Sequence, residues 1–260
     1  MRRRILLAAF AALLFAGPAS AEDALVSGLS QDVVEISSTY TGTDLTVFGA
    51  IERPGEGAKS DNAKSDIAKS DIVVVVRGPD AAMTVRRKDR FAGIWINNAR
   101  ARLIGLPSYY FLASTRPLEQ IAPGDTLRRY DLGLSNLRPE TALSDGAIMP
   151  YVRALVRAET KKGLYSQDGT SVEMLSPTLF RVRVPVPAAV PRGSYVVQVY
   201  LFRDGTVVSA QSTPLYVDQT GFERRIYDIA HEWPLSYGFL TVLMAVLLGW
   251  ISSLFFRRGM

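Results

Sequence analysis

The densest group of charged side chains in the interior of the chain is the run RRKDR, at residues 86–90. It supplies four cations: Arg86, Arg87, Lys88 and Arg90. Trp95, Arg100 and Arg102 follow a few residues later. Guanidinium and ammonium groups bind phosphate and carboxylate oxygens, so the first four residues, called here the basic patch, predict an anion site or a contact with lipid head groups. The alternative, and the commoner meaning of such a run, is a solvated edge strand that charge protects from pairing with another chain.

A second pattern lies near the C-terminal end, where small residues recur every four positions: Thr241, Ala245, Gly249 and Ser253. In a helix this spacing places them along one stripe. Small side chains let a second helix approach closely inside a membrane, so the stripe predicts a face for helix association. The alternative is chance, because Ala, Gly and Ser are common in such segments.

The composition excludes most other kinds of site. The chain has no Cys and a single His, His231, which lies close to the C-terminal apolar segment. A disulfide framework, a thiolate zinc site, a Cys nucleophile and a Ser-His-Asp triad in the globular part are therefore excluded, and carboxylate, Ser/Lys or backbone chemistry is left. Because there is also no Gly-rich phosphate loop and no His cluster, the sequence nominates no catalytic residue, no metal site and no cofactor.

The net charge of +5 comes from the ends of the chain. Five of the 30 Lys and Arg lie in residues 2–4 and 257–258, whereas all 25 Asp and Glu lie in residues 22–236. The region between the ends is therefore balanced, and the basic charge reflects targeting and topology. Nucleic acid is not expected as a partner.

The two ends carry the signals of a membrane protein. Residues 1–21 combine three Arg, an apolar run and the small-residue site Ala19-Ser20-Ala21, which predicts a cleavable signal peptide. Residues 235–256 carry no charge, and this length suffices for a helix that spans a bilayer. The positive-inside rule places the basic tail, residues 257–260, in the cytoplasm. We therefore expect a single-pass protein of a bacterial inner membrane, with the lipid bilayer as a partner and a periplasmic ectodomain.

Residues 22–220 have the pattern of a β-rich domain, with short runs of β-branched and aromatic residues separated by Gly, Pro and Asp. Val73–Val76 form an unbroken apolar run, which is typical of a central strand buried on both faces. Asp204-Gly205 predicts a hairpin turn, and a helical pattern occupies about residues 144–162. We predict a mainly β fold, an immunoglobulin-like antiparallel β-sandwich with one inserted helix, as one sandwich in preference to two small β domains.

Two connecting segments have patterns of their own. Residues 58–72, AKSDNAKSDIAKSDI, repeat a five-residue unit three times; repeat slippage in an exposed hairpin loop explains this better than a binding array. Residues 221–234 place apolar side chains on one helical face, which predicts an amphipathic juxtamembrane stalk: Phe222, Ile226, Ile229 and Trp233.

Several strings along the chain resemble a family of alphaproteobacterial transmembrane proteins. They are YTGTDLTVFGAIE, DIVVVVRGP, GIWIN, LFRVRVPVP, YLFRDG and GFERRIYDIA, together with the terminal apolar span and FRR. The resemblance covers nearly the full length but implies no activity and assigns no functional residues. Members are often encoded beside permeases of the sulfite-exporter type, which implies an accessory role to such a transporter.

Three functions are consistent with these observations. A membrane-anchored periplasmic interaction or accessory protein fits best, because no catalytic constellation is evident. A periplasmic hydrolase that uses an Asp/Glu pair is the alternative from another class. A ligand-binding sensor is less well supported, because only residues 257–260 would lie in the cytoplasm to transmit a signal.

The predicted topology can be tested with reporter fusions. A reporter fused after Met260 is expected to be active only in the cytoplasm, and one fused near Gly221 only in the periplasm, because the apolar span lies between the two positions. The opposite pattern of activity would reject this orientation.

Overall fold

The computed structural model describes residues 24–37, 39–52, 70–91, 93–140, 145–219 and 229–256. Within these ranges the chain forms twelve strands, four α-helices and one 3-10 helix, so the predicted mainly β fold is confirmed. The predicted signal peptide, the basic tail and most of the stalk lie outside the described residues.

The strands account for most of the regular structure, and each is named here in chain order. They are β1 (Ala24–Leu29), β2 (Val33–Ile36), β3 (Gly42–Glu52), β4 (Asp71–Arg77), β5 (Asp80–Phe91), β6 (Ile94–Pro107), β7 (Tyr110–Ser114), β8 (Tyr165–Asp168), β9 (Glu173–Met174), β10 (Leu179–Pro187), β11 (Gly193–Arg203) and β12 (Thr206–Gln219). The helices are α1 (Leu118–Ile121), α2 (Gly124–Arg129), a 3-10 helix (Leu134–Asn136), α3 (Asp145–Lys161) and α4 (Pro234–Phe256).

The first sheet has the order β1-β3-β10-β9, and all of its pairs are antiparallel. Strand β10 shows why one face of this sheet is buried. Phe180, Val182 and Val184 are almost completely buried, whereas Arg181 and Arg183 point to the other side. This alternation is the one that a strand with a single buried face requires.

The second sheet has the order β2-β12-β11-β4-β7-β8. Its centre is β4, in which every residue of Ile72–Val76 is at most 1 % exposed, as the unbroken apolar run predicts. Strands β11 and β12 form the predicted hairpin, and its turn residues Asp204 and Gly205 both have positive φ, at 48° and 80°. A two-residue turn of this kind matches the twist of the two strands.

The predicted antiparallel arrangement differs at both edges of the second sheet, where β2–β12 and β7–β8 are parallel pairs. Between β7 and β8 the chain passes through the helices, ending with α3, and such a long crossover is what a parallel pair needs. Helix α3 agrees with the predicted helix and buries Ile148, Val152 and Leu155. The prediction of a single inserted helix is wrong, because α1, α2 and the 3-10 helix lie in the same crossover. The buried side chains of α3 join one hydrophobic cluster with residues of both sheets. The immunoglobulin-like arrangement itself stays a prediction.

The prediction that the AKSD repeat lies in a hairpin loop is wrong. Strands β3 and β4 flank the repeat, but β3 pairs with β1 and β10 in the first sheet, whereas β4 lies between β11 and β7 in the second. The physical reason is that β3 is hydrogen-bonded to β1 on one side and to β10 on the other, so neither side of β3 is left for β4. The repeat therefore connects two sheets, and residues 58–69 lie outside the described residues.

Gly49 in β3 tests the packing of the first sheet. A Cβ atom there would lie 2.5 Å from the Phe180 ring and 2.5 Å from the Val26 carbonyl oxygen, which is too close for either. Gly49→Ala is therefore expected to lower the free energy of unfolding by about 2 kcal/mol and the Tm by about 6 °C. Gly28→Ala is the control, because its Cβ would meet only the Phe48 ring, at 3.1 Å, which is half exposed and able to move. Thermal unfolding of the full-length protein in detergent, followed by circular dichroism, measures both. Equal Tm values for the two variants would contradict this packing.

Candidate functional site

The candidate site lies on a long two-stranded β-ribbon, formed by β5 and β6, which pair only with each other among the described strands. Residues that are directly paired in an antiparallel ribbon point to the same side of it. The pairs Arg86↔Arg100 and Arg90↔Trp95 therefore share one face. This face, called here the basic face, carries five cations and one aromatic ring: Arg86, Lys88, Arg90, Arg100, Arg102 and Trp95.

The opposite face of the ribbon is apolar near its base. Ala101 and Leu103 are buried there, and Val85 is half buried against the hydrophobic cluster. Arg87 has the strand parity of Val85, so the structure divides the predicted basic patch: Arg86, Lys88 and Arg90 lie on the basic face, and Arg87 on the other. All four side chains are exposed.

A cleft of about 530 Å³ separates the ribbon from the N-terminal half of α3 and is called here the ribbon–helix cleft. Its apolar lining comes from Val85, Ala101, Ala147, Tyr151 and Ala154, and its basic lining from Arg86, Arg87 and Arg100. Gly146 and Pro150 also line it. Proline inside a helix cannot donate to the carbonyl four residues before it, which here is that of Gly146, so the cleft lies where one hydrogen bond of the helix is missing. Such a site can hold an anionic group next to an apolar one.

Hydrogen bonds hold the base of the ribbon rigidly against the second sheet. The backbone N–H of Ser108 donates to the Pro79 carbonyl at 2.9 Å. The Tyr165 hydroxyl donates to the Pro107 carbonyl at 2.6 Å, and burial raises the pKa of Tyr165 well above its usual range. This hydroxyl therefore stays protonated and has a structural role.

A second cleft, of about 740 Å³, contains the carboxylates of Asp71, Glu119 and Asp204 together with Arg116. Asp71 is buried, and its Oδ1 accepts hydrogen bonds from Thr115 Oγ1 and Arg116 Nε, both at 2.8 Å. Its Oδ2 accepts one from Arg116 Nη2, and this bonding raises the pKa of Arg116. Because both oxygens are occupied, Asp71 stabilises the loop after β7 and is poorly placed to act as a general base.

The residues that the structure describes contain no group of three or more His, Asp or Glu side chains that could hold a metal ion. The prediction that the protein needs no metal or cofactor is untested.

Helix α4 matches the predicted span. Residues Pro234–Ser253 are long and apolar enough to cross a membrane, and none of this segment is buried against the rest of the described chain. The four small residues of the stripe are all exposed: Thr241, Ala245, Gly249 and Ser253. The Thr241 hydroxyl donates to the Gly238 carbonyl at 2.8 Å, so its hydrogen bond is satisfied inside the helix. The stripe is thus not buried against any other described part of the chain, and its role in helix association stays a prediction.

A comparison with family models decides which proteins this chain resembles. The model described as "Putative transmembrane protein (Alph_Pro_TM)" matches residues 24–258. The chain belongs to this family. Membership in Alph_Pro_TM confirms the resemblance and supports association with a lipid bilayer, but the description names no activity and no protein partner. No protein with curated annotation matches the sequence.

Sequence reasoning missed two parts of the site. It did not place Arg100 and Arg102 on one face with Arg86, because the pairing includes an irregularity between Arg87 and Lys88 that shifts the register. It also did not place α3 beside the ribbon, since no local pattern specifies which sheet face a helix covers. The sequence offered one signal of this contact, the small residues on either side of Pro150, which leave room beside the helix: Gly146, Ala147 and Ala154.

Proposed function

We propose that this protein is a membrane-anchored accessory protein, which binds a partner in the same membrane through the ribbon–helix cleft of a periplasmic domain. The observation that supports it most is the composition of the cleft, where three arginines border an apolar lining at the surface of a domain tethered by α4. An apolar surface beside Arg86 and Arg100, which form no ion pair with a described residue, fits an acidic segment with apolar neighbours.

The size of the cleft limits what it can bind. At about 530 Å³ it has room for a few side chains of a protein loop or for one small amphipathic anion. Arg86 and Arg100 are opposite each other on the ribbon, so an acidic side chain between them would relieve the repulsion of two like charges. A protein segment that supplies this carboxylate is the occupant we propose.

The partner we propose is a transporter of the sulfite-exporter type, to which the protein would be accessory. The family resemblance implies this association, and the small-residue stripe of α4 offers a second contact inside the bilayer. A carboxylate hydrolase has less support, because Asp71 is held by Arg116 and Thr115. A sensor would bind a small anion in the same cleft.

We also infer that the two larger sheets form an immunoglobulin-like sandwich. Both contribute alternate side chains to one cluster. Tyr195, near the start of β11, donates its hydroxyl hydrogen bond to the Pro191 carbonyl four residues upstream, at 2.5 Å. A tyrosine bound in this way recurs at the strand corners of immunoglobulin-like domains.

The cleft is tested by filling it. Ala154→Trp places a large ring in the cleft without removing a core side chain, whereas Ala158→Trp places the same ring on an exposed part of α3 outside the cleft. In a cross-linking pull-down of full-length protein from native membranes, Ala154→Trp is expected to lower the recovery of the transporter about tenfold, a loss of about 1.4 kcal/mol.

The Ala158→Trp variant should recover the transporter as the unmodified protein does. Equal recovery with all three proteins would contradict the cleft as the binding site. Absence of any stoichiometric membrane protein from the unmodified sample would contradict the accessory role and favour a sensor or an enzyme.

A further inference from the structure

We infer that the basic face of the ribbon, with the apolar tip of the ribbon, docks on the anionic lipid surface of the bilayer that α4 crosses. The inference goes beyond the proposed accessory function. Arg86 and Arg100 belong to both surfaces, but Lys88, Arg90, Arg102 and the tip lie outside the ribbon–helix cleft. Three independent observations support it: the charge of the face, the exposure of the tip and the position of the base.

The charge of the basic face is not neutralised within the described part of the chain. Arg86, Lys88, Arg90, Arg100 and Arg102 are all exposed, and none of them forms an ion pair with a described residue. Like charges that face each other across a strand pair destabilise it, and Arg86 faces Arg100 directly. Outside the ribbon–helix cleft, a surface of lipid phosphates would compensate Lys88, Arg90 and Arg102 together.

The tip of the ribbon carries two large apolar side chains that have no place in the core. Ile94 is 64 % exposed and Trp95 is 68 % exposed, directly after the turn residue Gly93 with φ of 86°. Trp95 is paired with Arg90, so the ring and a cation lie side by side on one face. Tryptophan next to basic residues is typical of segments that lie at the interface between head groups and acyl chains.

The base of the ribbon lies at the end of the second sheet from which the chain continues to the membrane. Gly193 is paired with Val217 near the end of β12, and a Cβ atom on Gly193 would lie 2.9 Å from Pro79, at the start of the ribbon. Residues 220–228 then lead from β12 to a helical turn at Ile229–Trp233 before α4. Fully extended, these nine residues span at most on the order of 31 Å, and the helical turn adds about 8 Å. The ribbon is on the order of 40 Å long, so its tip can reach the bilayer.

Free phosphate ions would satisfy the charge of the face but not the exposed apolar tip. Nucleic acid would satisfy both charge and stacking, but it gives no reason for the base of the ribbon to lie at the sheet end from which the chain continues toward α4. The lipid surface accounts for all three observations.

The test uses the full-length protein in lipid nanodiscs and the absence of Cys from the chain. An environment-sensitive fluorophore on Ile94→Cys reports the tip, and the same fluorophore on Thr206→Cys, an exposed residue at the far end of the sheet, is the control. Spin-labelled lipid should quench the label at position 94 in discs that contain phosphatidylglycerol, and quench it much less in discs of phosphatidylcholine alone. The label at position 206 should not be quenched in either kind of disc.

Charge reversal separates docking from general electrostatics. In the Ile94→Cys background, Lys88→Glu with Arg90→Glu is expected to lower the ratio of docked to undocked protein roughly tenfold or more. Arg153→Glu with Arg157→Glu changes the net charge equally on an exposed face of α3 and should leave the quenching unchanged. High salt should also release the tip.

Three results would overturn the inference. One is a label at position 94 that stays in water in anionic discs. Another is equal quenching in anionic and zwitterionic discs, which would remove the role of the charges. The third is equal loss of quenching with both charge-reversal pairs. Ala154→Trp should not affect this assay. A failure of lipid docking can therefore be distinguished from a failure of the accessory function.

Discussion

The arrangement of the β-rich part depends on the burial of one strand. The apolar run Ile72–Val76 of β4 has to be covered on both faces and hydrogen-bonded on both sides, so it lies between β11 and β7 at the centre of the larger sheet. The N-terminal end of β4 follows the repeat segment, and its C-terminal end continues through Pro79 into the ribbon. Because β11 then pairs with β12, the same strand fixes the ribbon relative to the exit toward the membrane.

The charged groups of the protein fall into two kinds. Asp71 and Arg116 satisfy each other through two hydrogen bonds and close a loop of the core, which is a structural use of charge. The cations of the basic face instead repel one another and have no acidic partner among the described residues. This repulsion costs stability, and no described contact inside the protein compensates it, so we infer a contact outside the protein. In a membrane-anchored protein the nearest candidates are the bilayer and its other proteins.

Local patterns predicted the elements, and non-local packing decided how they assemble. The period of two in β10, the apolar run of β4, the turn at Asp204-Gly205 and the stripe of α3 all depend on near neighbours, and the structure bears them out. Sequence alone did not show that β3 and β4 lie in different sheets, because that depends on which surfaces remain to be covered. The basic face is an intermediate case, since its residue types were evident but their common face required the register of β5 with β6.

The claim that the ribbon and the membrane connection leave the sheet at the same end is tested most directly by two distances between spin labels. Ala82 marks the base of the ribbon, Tyr216 the exit end of β12 and Thr206 its far end, and all three are exposed. Pulsed electron resonance on the labelled pairs should give an 82–216 distance shorter than the 82–206 distance by roughly 15 Å or more, because about ten residues of strand separate the two positions on β12. Equal distances, or a shorter 82–206 distance, would contradict this account of how the fold presents the ribbon to the membrane.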